Sequence, residues 1–476
     1  MSTNEAASFR DAIPTADQKT GQRIWVYPRK PSGPFTNART WLSCFLLVLL
    51  FAGPFIRIGG NPLLMMNIVE RKFSVFGVLF WPQDFYIFAL LLITVFIMIV
   101  LFTAVFGRVW CGWLCPQTVL MEMVFRKIEY FIEGDAHEQR ALNKGPWSAG
   151  KGFKKILKHG IFFALSFVIG NWLLMYIIGS ETWRHIVTDD PRNHLAGLSA
   201  MIGFSLVFYG IFARFREQAC TFICPYGRFQ SVLLDDNSIV VAYDNKRGEP
   251  KQRYSKLQPY EQRQAAGLGD CIDCRLCVEV CPTGIDIRNG TQMECVNCTA
   301  CIDVCNGVMN RLQFPRGLIR YASANGIARG EKLRFTPRII GYSVVLTLLL
   351  GLLVFLLTTR TEVETNLLRA PGTLFQTQPD GEISNLYLVK VMNKTTRTVP
   401  VELRLEQPVG HLKIAGQDLI APPRGLAESA VIISLNRDVL PRSSVPIVIG
   451  VYQDGRKVKT LKTNFLGPAL PAPGAP

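Results

Sequence analysis

The sequence predicts a multi-domain membrane protein: an α-helical bundle of about five transmembrane spans, a cysteine-rich module set between them, and a C-terminal β-sandwich. Three observations predict it. Hydrophobic residues make up 49% of the 476-residue chain against 18% charged, several apolar runs approach bilayer thickness, and all 13 cysteines fall at or before Cys305.

Uncharged runs near the ~20 residues that cross a bilayer lie at 40–58, 85–107, 160–179, 195–213 and 339–359. The second is the clearest, uncharged from Phe85 to Gly107 and closed by Arg108. The first carries Pro54 and Arg57 near its end. It does not read as a cleaved signal, because a largely polar 39-residue segment precedes it and no small-x-small site follows. Orientation follows from Lys and Arg in the short loops. Six precede the first span and nine lie in 107–159, whereas 59–84 and 180–194 hold two each. The N-terminus, the 107–159 loop and segment 214–338 are therefore expected in the cytoplasm. The C-terminus is expected outside, in the periplasm of a cell whose inner membrane holds the chain. The net charge of +16 serves this orientation, because the basic residues flank apolar runs and form no aromatic-interleaved patch of the kind that binds nucleic acid.

The expected organisation is a cytoplasmic segment 1–39, a four-helix core 40–213, a cytoplasmic segment 214–338 with its module at about 262–315, a fifth span 339–359, an exported domain 360–466, and a disordered tail 467–476. In the exported part, Asn385–Val391 and Val399–Leu405 alternate apolar and polar residues, and Asp454-Gly455 is a hairpin signal. Short strands with Gly and Pro breaks suit a β-sandwich.

This topology places every clustered cysteine in the reducing compartment and none in the exported tail. Cys271-x2-Cys274-x2-Cys277-x3-Cys281-Pro282 recurs as Cys295-x2-Cys298-x2-Cys301-x3-Cys305. That is the bacterial two-cluster ferredoxin spacing, in which the fourth cysteine of each run serves the other 4Fe-4S cluster. One cluster is then expected on Cys271, Cys274, Cys277 and Cys305, the other on Cys295, Cys298, Cys301 and Cys281. Zinc also takes four-cysteine sites. Two consecutive runs, the first followed by proline, favour clusters, although the second run ends Cys305-Asn306.

A further pair of motifs, Cys111-Gly-Trp-Leu-Cys115-Pro116 and Cys220-Thr-Phe-Ile-Cys224-Pro225, follows the cytoplasmic ends of two spans. The repeat brings four thiols to one membrane face if the halves pack side by side, as a redox or soft-metal site suited to transient Cu(I). Met121 and Met123, like Met65 and Met66, read first as packing residues, as does Cys44 within the first span. The five histidines show no ligand spacing.

The order of these parts resembles the FixG/RdxA/CcoG family of cytochrome c oxidase accessory proteins across nearly the whole chain. The resemblance implies an immunoglobulin-like exported domain and a role in assembling the cbb3-type oxidase by reducing Cu(II) to Cu(I). Implied partners are a copper-transporting P-type ATPase and other oxidase assembly proteins. No nucleotide-binding loop appears, so an unidentified cytoplasmic electron donor is expected. The same motifs also look like the membrane subunits of nitrate reductase quinol dehydrogenases, which makes quinol-linked electron transfer the main alternative. An iron–sulfur redox sensor is the third.

Overall fold

The computed structural model describes residues 20, 22–67, 72–81, 84–254, 260–330 and 337–468, apart from 373, 396, 417, 424 and 441. The expected disordered tail lies, but for its first two residues, outside them. The chain divides into two compact units, Met1–Ile58 with Pro62–Val354 and Gly59–Asn61 with Phe355–Pro476.

Five helices are long and apolar enough to cross a membrane: Pro34–Ala52, Phe85–Phe106, Ala149–Ile178, Pro191–Phe215 and Pro337–Thr358. The first begins six residues before its expected start, for two physical reasons. Pro34 sits where a proline opens a helix, and the buried Asp303 accepts from the backbone N–H groups of Phe35 at 3.1 Å and Thr36 at 2.7 Å. The helix stops at Gly53-Pro54. The third starts before its apolar run because a basic stretch, Lys151–Lys158, continues the same helix.

Two connections carry structure that the sequence did not announce. A three-stranded antiparallel sheet pairs Leu64–Asn67 with Lys72–Val75 and the latter with Val78–Phe80, and Met65 and Met66 belong to it. Ser180–Thr188 is a helix. Within the bundle, Phe125 stacks on Phe212 at 4.3 Å and meets Phe162 edge-on at 4.9 Å. Met121 joins this core. Cys44, expected to pack, is exposed on the first span instead.

The cysteine module closes on itself. Val240–Tyr243 pairs antiparallel with Ile319–Ala322, bracketing residues 260–311. Val241, Ile285, Ile302, Met309, Leu318 and Ile319 form its core.

The C-terminal unit is built on two larger antiparallel sheets, with a small one pairing Val399–Pro400 and Ile420–Ala421. One runs in the order 411–415, 426–435, 383–393, 363–369, with Gln376–Thr377 added at 383–393; the other runs 402–407, 444–453, 456–466. Alternation decides the faces: Tyr387, Val389 and Val391 point inward, as do Ile447, Ile449 and Val451, and together they build one core. Asp454 and Gly455 both take positive φ, 47° and 77°, as the tight turn between the last two strands requires.

Candidate iron–sulfur and thiol sites

The two cysteine runs of the module fold alike. Asp273 and Arg275 flank Cys274 with φ of 50° and 56°, and Asn297 and Thr299 flank Cys298 with 53° and 66°. Left-handed residues on either side of the middle cysteine turn successive N–H groups toward one side, which makes a concavity for an anion. Cys271, Cys274, Cys277 and Cys305 line one cavity. Cys281, Cys295, Cys298 and Cys301 line a second, which Cys277 also touches. The crossed sets of four read from spacing are thus brought together around separate voids.

Burial pushes the Cys277, Cys295 and Cys305 thiols up to about 12. Such thiols ionise only when a cation replaces the proton. A set of four soft donors per void, ringed by backbone N–H groups, fits a 4Fe-4S cube.

The membrane thiols sit in a second duplicated device. The second span ends at Gly107, with φ of 60° and ψ of −142°, and the fourth at Arg216, with φ of 52° and ψ of −121°. Each reversal is followed by a short helical segment holding the first cysteine, Cys111 in Val109–Trp113 and Cys220 in Ala219–Ile223. The second cysteine, Cys115 or Cys224, is the extended N-cap residue of the next helix, and the proline after it occupies the first helical position. The proline's fixed φ sets that start. In sequence the repeat reads as Arg108 against Arg214; the backbone aligns Gly107 with Arg216, each four residues before its cysteine.

Cys111 of the first motif reaches the helix that follows the second. Burial raises the Cys220 pKa to about 12, with Cys115, Cys111 and Cys224 pushing the same way and Arg108 opposing. Gln230, on the helix Pro225–Leu233, ties the halves: its Oε1 accepts from Arg108 Nε at 3.0 Å and from the Cys111 thiol at 3.1 Å. Among the described residues no three His, Cys, Asp or Glu side chains sit closely enough to hold a single metal ion. Met121 is buried in the helix core, and Met123 Sδ accepts from Thr40 Oγ1 at 3.9 Å.

A buried charge network holds the halves in place. Glu129, on the helical run that follows Cys115, pairs with Arg216 and, at 3.3 Å, with Lys158. Glu133 pairs with Lys158 at 2.8 Å and Lys155 at 2.7 Å, while Glu217 takes Arg23 at 2.9 Å. Trp25 lies 4.1 Å from the Arg23 guanidinium and 5.4 Å from that of Arg216. Burying this many charges is tolerable only because each finds an opposite partner.

The first motif is docked on the module's second loop. A Cβ on Gly112 would strike the Val296 carbonyl oxygen and meet Asn297 C and O at 3.0 Å. Trp113 Nε1 donates to Asn297 O at 3.2 Å, Arg39 Nε donates to Gly112 O at 2.7 Å, and Arg108 reaches Met293 O. Since Gly112 follows Cys111 and Val296 follows Cys295, thiols of the two sites are one residue removed from a backbone contact. Gly107, Gly112, Arg39 and Gln230 escaped the sequence reading; the sole signal was the glycine inside the first motif.

These features together define an iron–sulfur redox protein with membrane-spanning helices. Residues 215–324 match the 4Fe-4S dicluster domain, 88–132 a 4Fe-4S binding domain, and 353–468 the IG-like fold at the C-terminal of FixG. The nitrogen fixation protein FixG of Rhizobium meliloti is 34% identical over 439 residues, 83% of this chain and 82% of that one. Protein RdxA of Cereibacter sphaeroides is 35% identical over 392 residues, covering 78% and 80%. The chain belongs to the FixG/RdxA family. The crystal structure of a FixG-related protein from Vibrio parahaemolyticus aligns with 22% of this chain and 97% of its own, at 17% identity and a TM-score of 0.19.

Proposed function

We propose that the protein is an inner-membrane reductase that takes electrons from a cytoplasmic donor and delivers them, through its ferredoxin module and membrane thiols, to Cu(II) destined for a cbb3-type oxidase. The observation that carries this reading is the seating of the Cys111–Trp113 turn on the Val296–Asn297 backbone, which puts the membrane thiols against the cluster loop. Cys271, Cys274, Cys277 and Cys305 would hold one 4Fe-4S cluster, and Cys281, Cys295, Cys298 and Cys301 the other. When bound, the clusters supply one-electron transfer.

The chain's own residues set the order. Asp303, two residues before Cys305, caps the first span and fixes the module at the membrane. Arg108 and Gln230 hold the Cys111 turn against the second motif. Each cupric ion accepts one electron and leaves as Cu(I), a substrate passing the four thiols. Basic loops face the cytoplasm by the charge rule, and the module with them. The C-terminal domain would face the periplasm and dock a copper-transporting P-type ATPase or other oxidase assembly proteins.

The test uses full-length protein, anaerobically reduced and freed of reductant, with cluster reoxidation followed on adding Cu(II) and a Cu(I) chelator. Rapid bleaching with one Cu(I) per electron, lost in Cys111→Ser/Cys220→Ser while the ferredoxin clusters persist, supports it. Normal turnover by that variant removes the thiols from the path.

One observation favours a second reading, quinol-linked transfer. An apolar cavity of about 280 Å³ is lined by Leu46, Leu50, Val75, Leu114, Pro116 and Tyr176, among others. Two of these, Leu114 and Pro116, flank Cys115, and the volume suits part of an apolar redox ligand. Fast reoxidation by a menaquinone analogue, slowed in Leu50→Trp, with none by Cu(II), would select it.

A further inference from the structure

We propose that the exposed Cys274–Arg275 turn of the ferredoxin module is the docking site of the electron donor, and that the donor is a small one-electron carrier protein with an acidic rim around its cofactor. This deepens the proposed function and rests on its reading that electrons enter through the module; the identity of the final acceptor plays no part in it.

The internal repeat of the module carries the argument. Each run places its middle cysteine between two left-handed residues, and the second of these is the N-cap of a helix: Arg275 opens Leu276–Glu279 and Thr299 opens Ala300–Arg311. The two turns match in backbone but not in what they present. Asn297 and Thr299 are neutral and only 2% and 1% exposed. Their turn is occupied, because the Asn297 carbonyl accepts from Trp113 Nε1 at 3.2 Å and from the Tyr321 hydroxyl at 3.3 Å, and Gly112 lies against it. At the equivalent place in the first run stand Asp273 and Arg275. There the Arg275 side chain is 72% exposed, and Cys274, alone of the eight ferredoxin cysteines, is exposed too. One copy of the turn thus meets the thiol motif within the chain, while the other offers the same approach to a partner from solution. Cys274 also lines the first cysteine cavity, beside Arg275 and Leu276, so a carrier seated on the turn is one side chain away from that site.

The charges say what kind of partner fits. Asp273 is held by Arg288, which also takes Asp286 at 2.6 Å, and Glu249 is taken by Lys251 at 3.0 Å. Arg275 approaches Asp273 only to 3.9 Å, so its charge is largely uncompensated. Arg253 is exposed as well, on a segment tied to the turn by the Gln252 N–H, which donates to the Cys271 carbonyl at 3.3 Å. A rim whose acids each face a base, with two arginines projecting beyond them, draws an acidic surface and, being solvated, releases it again. An obligate subunit would ask for an apolar face instead. In each encounter one electron leaves the reduced cofactor of the carrier and is taken up by the module, with no bond made or broken.

The experiment uses the full chain with its clusters loaded and an acidic flavodoxin as the probe. Binding of oxidised flavodoxin, which has no electron to give, is measured by titration, and reduction of the clusters by the reduced form is followed by stopped flow without copper. Asn and Asp tolerate a left-handed backbone, so Arg275→Asn and Arg275→Asp keep the turn, and paramagnetic resonance of each reduced variant checks that both clusters match wild type. Affinity and association rate should fall about tenfold in Arg275→Asp at low salt, and less in Arg275→Asn. The three proteins should converge at about 1 M salt, where the screening length is about 3 Å. Arg253→Glu, outside the cysteine runs, should act in the same direction and keeps the test open should the Arg275 variants lose iron. Lys144→Glu, an equal change of charge at an exposed position on the helix Ala136–Lys144, should alter neither quantity. Equal values for wild type, Arg275→Asp and Arg253→Glu, an equal loss in Lys144→Glu, or no binding by wild type overturns the proposal. Clusters that flavodoxin reduces through Arg275 but that Cu(II) fails to reoxidise would remove the proposed acceptor and leave this docking site standing.

Discussion

Gly112→Ala isolates the contact on which electron passage between the module and the membrane core depends. The new Cβ would lie inside 3.0 Å of the Val296 carbonyl and at 3.0 Å from Asn297 backbone atoms. Ordinary contact begins near 3.4 Å, so the Asn297 atoms alone require a shift of 0.4 Å and the Val296 carbonyl oxygen a larger one, and the atoms in the way are backbone. Overpacking of that kind costs about 1–3 kcal/mol. If the shift also breaks the 2.7 Å bond from Arg39 to the Gly112 carbonyl, a charge-assisted bond worth about 1.5–3 kcal/mol goes with it. The loss falls on docking, not on the cysteines. The variant should load the ferredoxin clusters fully, lose them at lower temperature in a melt followed by their visible absorbance, and reoxidise more slowly with Cu(II). Gly150→Ala is the control, since a Cβ there meets nothing within 4 Å. A Gly112→Ala protein matching wild type in both melt and reoxidation rate would refute direct docking of the two sites.

Four other outcomes are expected. Glu129→Gln leaves Arg216 buried beside a neutral amide, and breaking a buried pair in this way costs about 3–5 kcal/mol; a melt indistinguishable from wild type would show the network to be incidental. The same carboxyl gives a pH signature. Burial pushes Glu129 up, but Arg216, Lys158 and Arg126 outweigh it and hold it below the ordinary 4.5. Its contribution is present above that value and is lost as pH falls through the lower folded pKa, so wild type should lose stability below pH 4.5 more steeply than Glu129→Gln. Cys305→Ser should disturb the cluster of Cys271, Cys274 and Cys277 while sparing that of its own run; the converse in paramagnetic resonance would overturn crossed ligation. In the C-terminal unit, Tyr387→Phe removes the 2.9 Å bond to the Asn464 carbonyl from a fully buried ring, and should cost about 1–3 kcal/mol in a urea titration of the full chain followed by Trp-independent circular dichroism.

Spans, cysteine runs and tail strands were legible because each rests on a local period: uncharged length, cysteine spacing, or alternation. Residues 85–107 differ from the observed helix by one position, and the crossed cysteine sets face the voids that spacing assigns. What stayed hidden is non-local. Asp303 capping the first span acts across more than 260 residues of chain, and nothing in Pro34-Phe-Thr announces it. Gln230 likewise meets Arg108 and Cys111 only across 122 and 119 residues of chain. The small sheet at 64–80 was missed because strands of three or four residues carry no measurable alternation.

The duplicated thiol device explains why those remote residues matter. The helix after Cys224 packs on the span before Cys111, through Tyr226 to Thr103 at 3.1 Å and Phe229 against Phe96 at 5.8 Å. Reciprocally, the helix after Cys115 packs on the span before Cys220 through Phe125 and Phe212. Each half therefore completes the other, and the same exchange brings Cys111 to Gln230. The copies differ at the chain reversal. Gly107 takes its positive φ freely, whereas Arg216 pays about 1–3 kcal/mol for a conformation that a side chain resists. Its guanidinium, bound to Glu129 and lying near Trp25, supplies the restraint that holds it there. Arg216→Gly would relieve the backbone but release Glu129, and since a broken buried pair costs more than the strain relieved, it should destabilise the thiol site although it makes the two halves more alike.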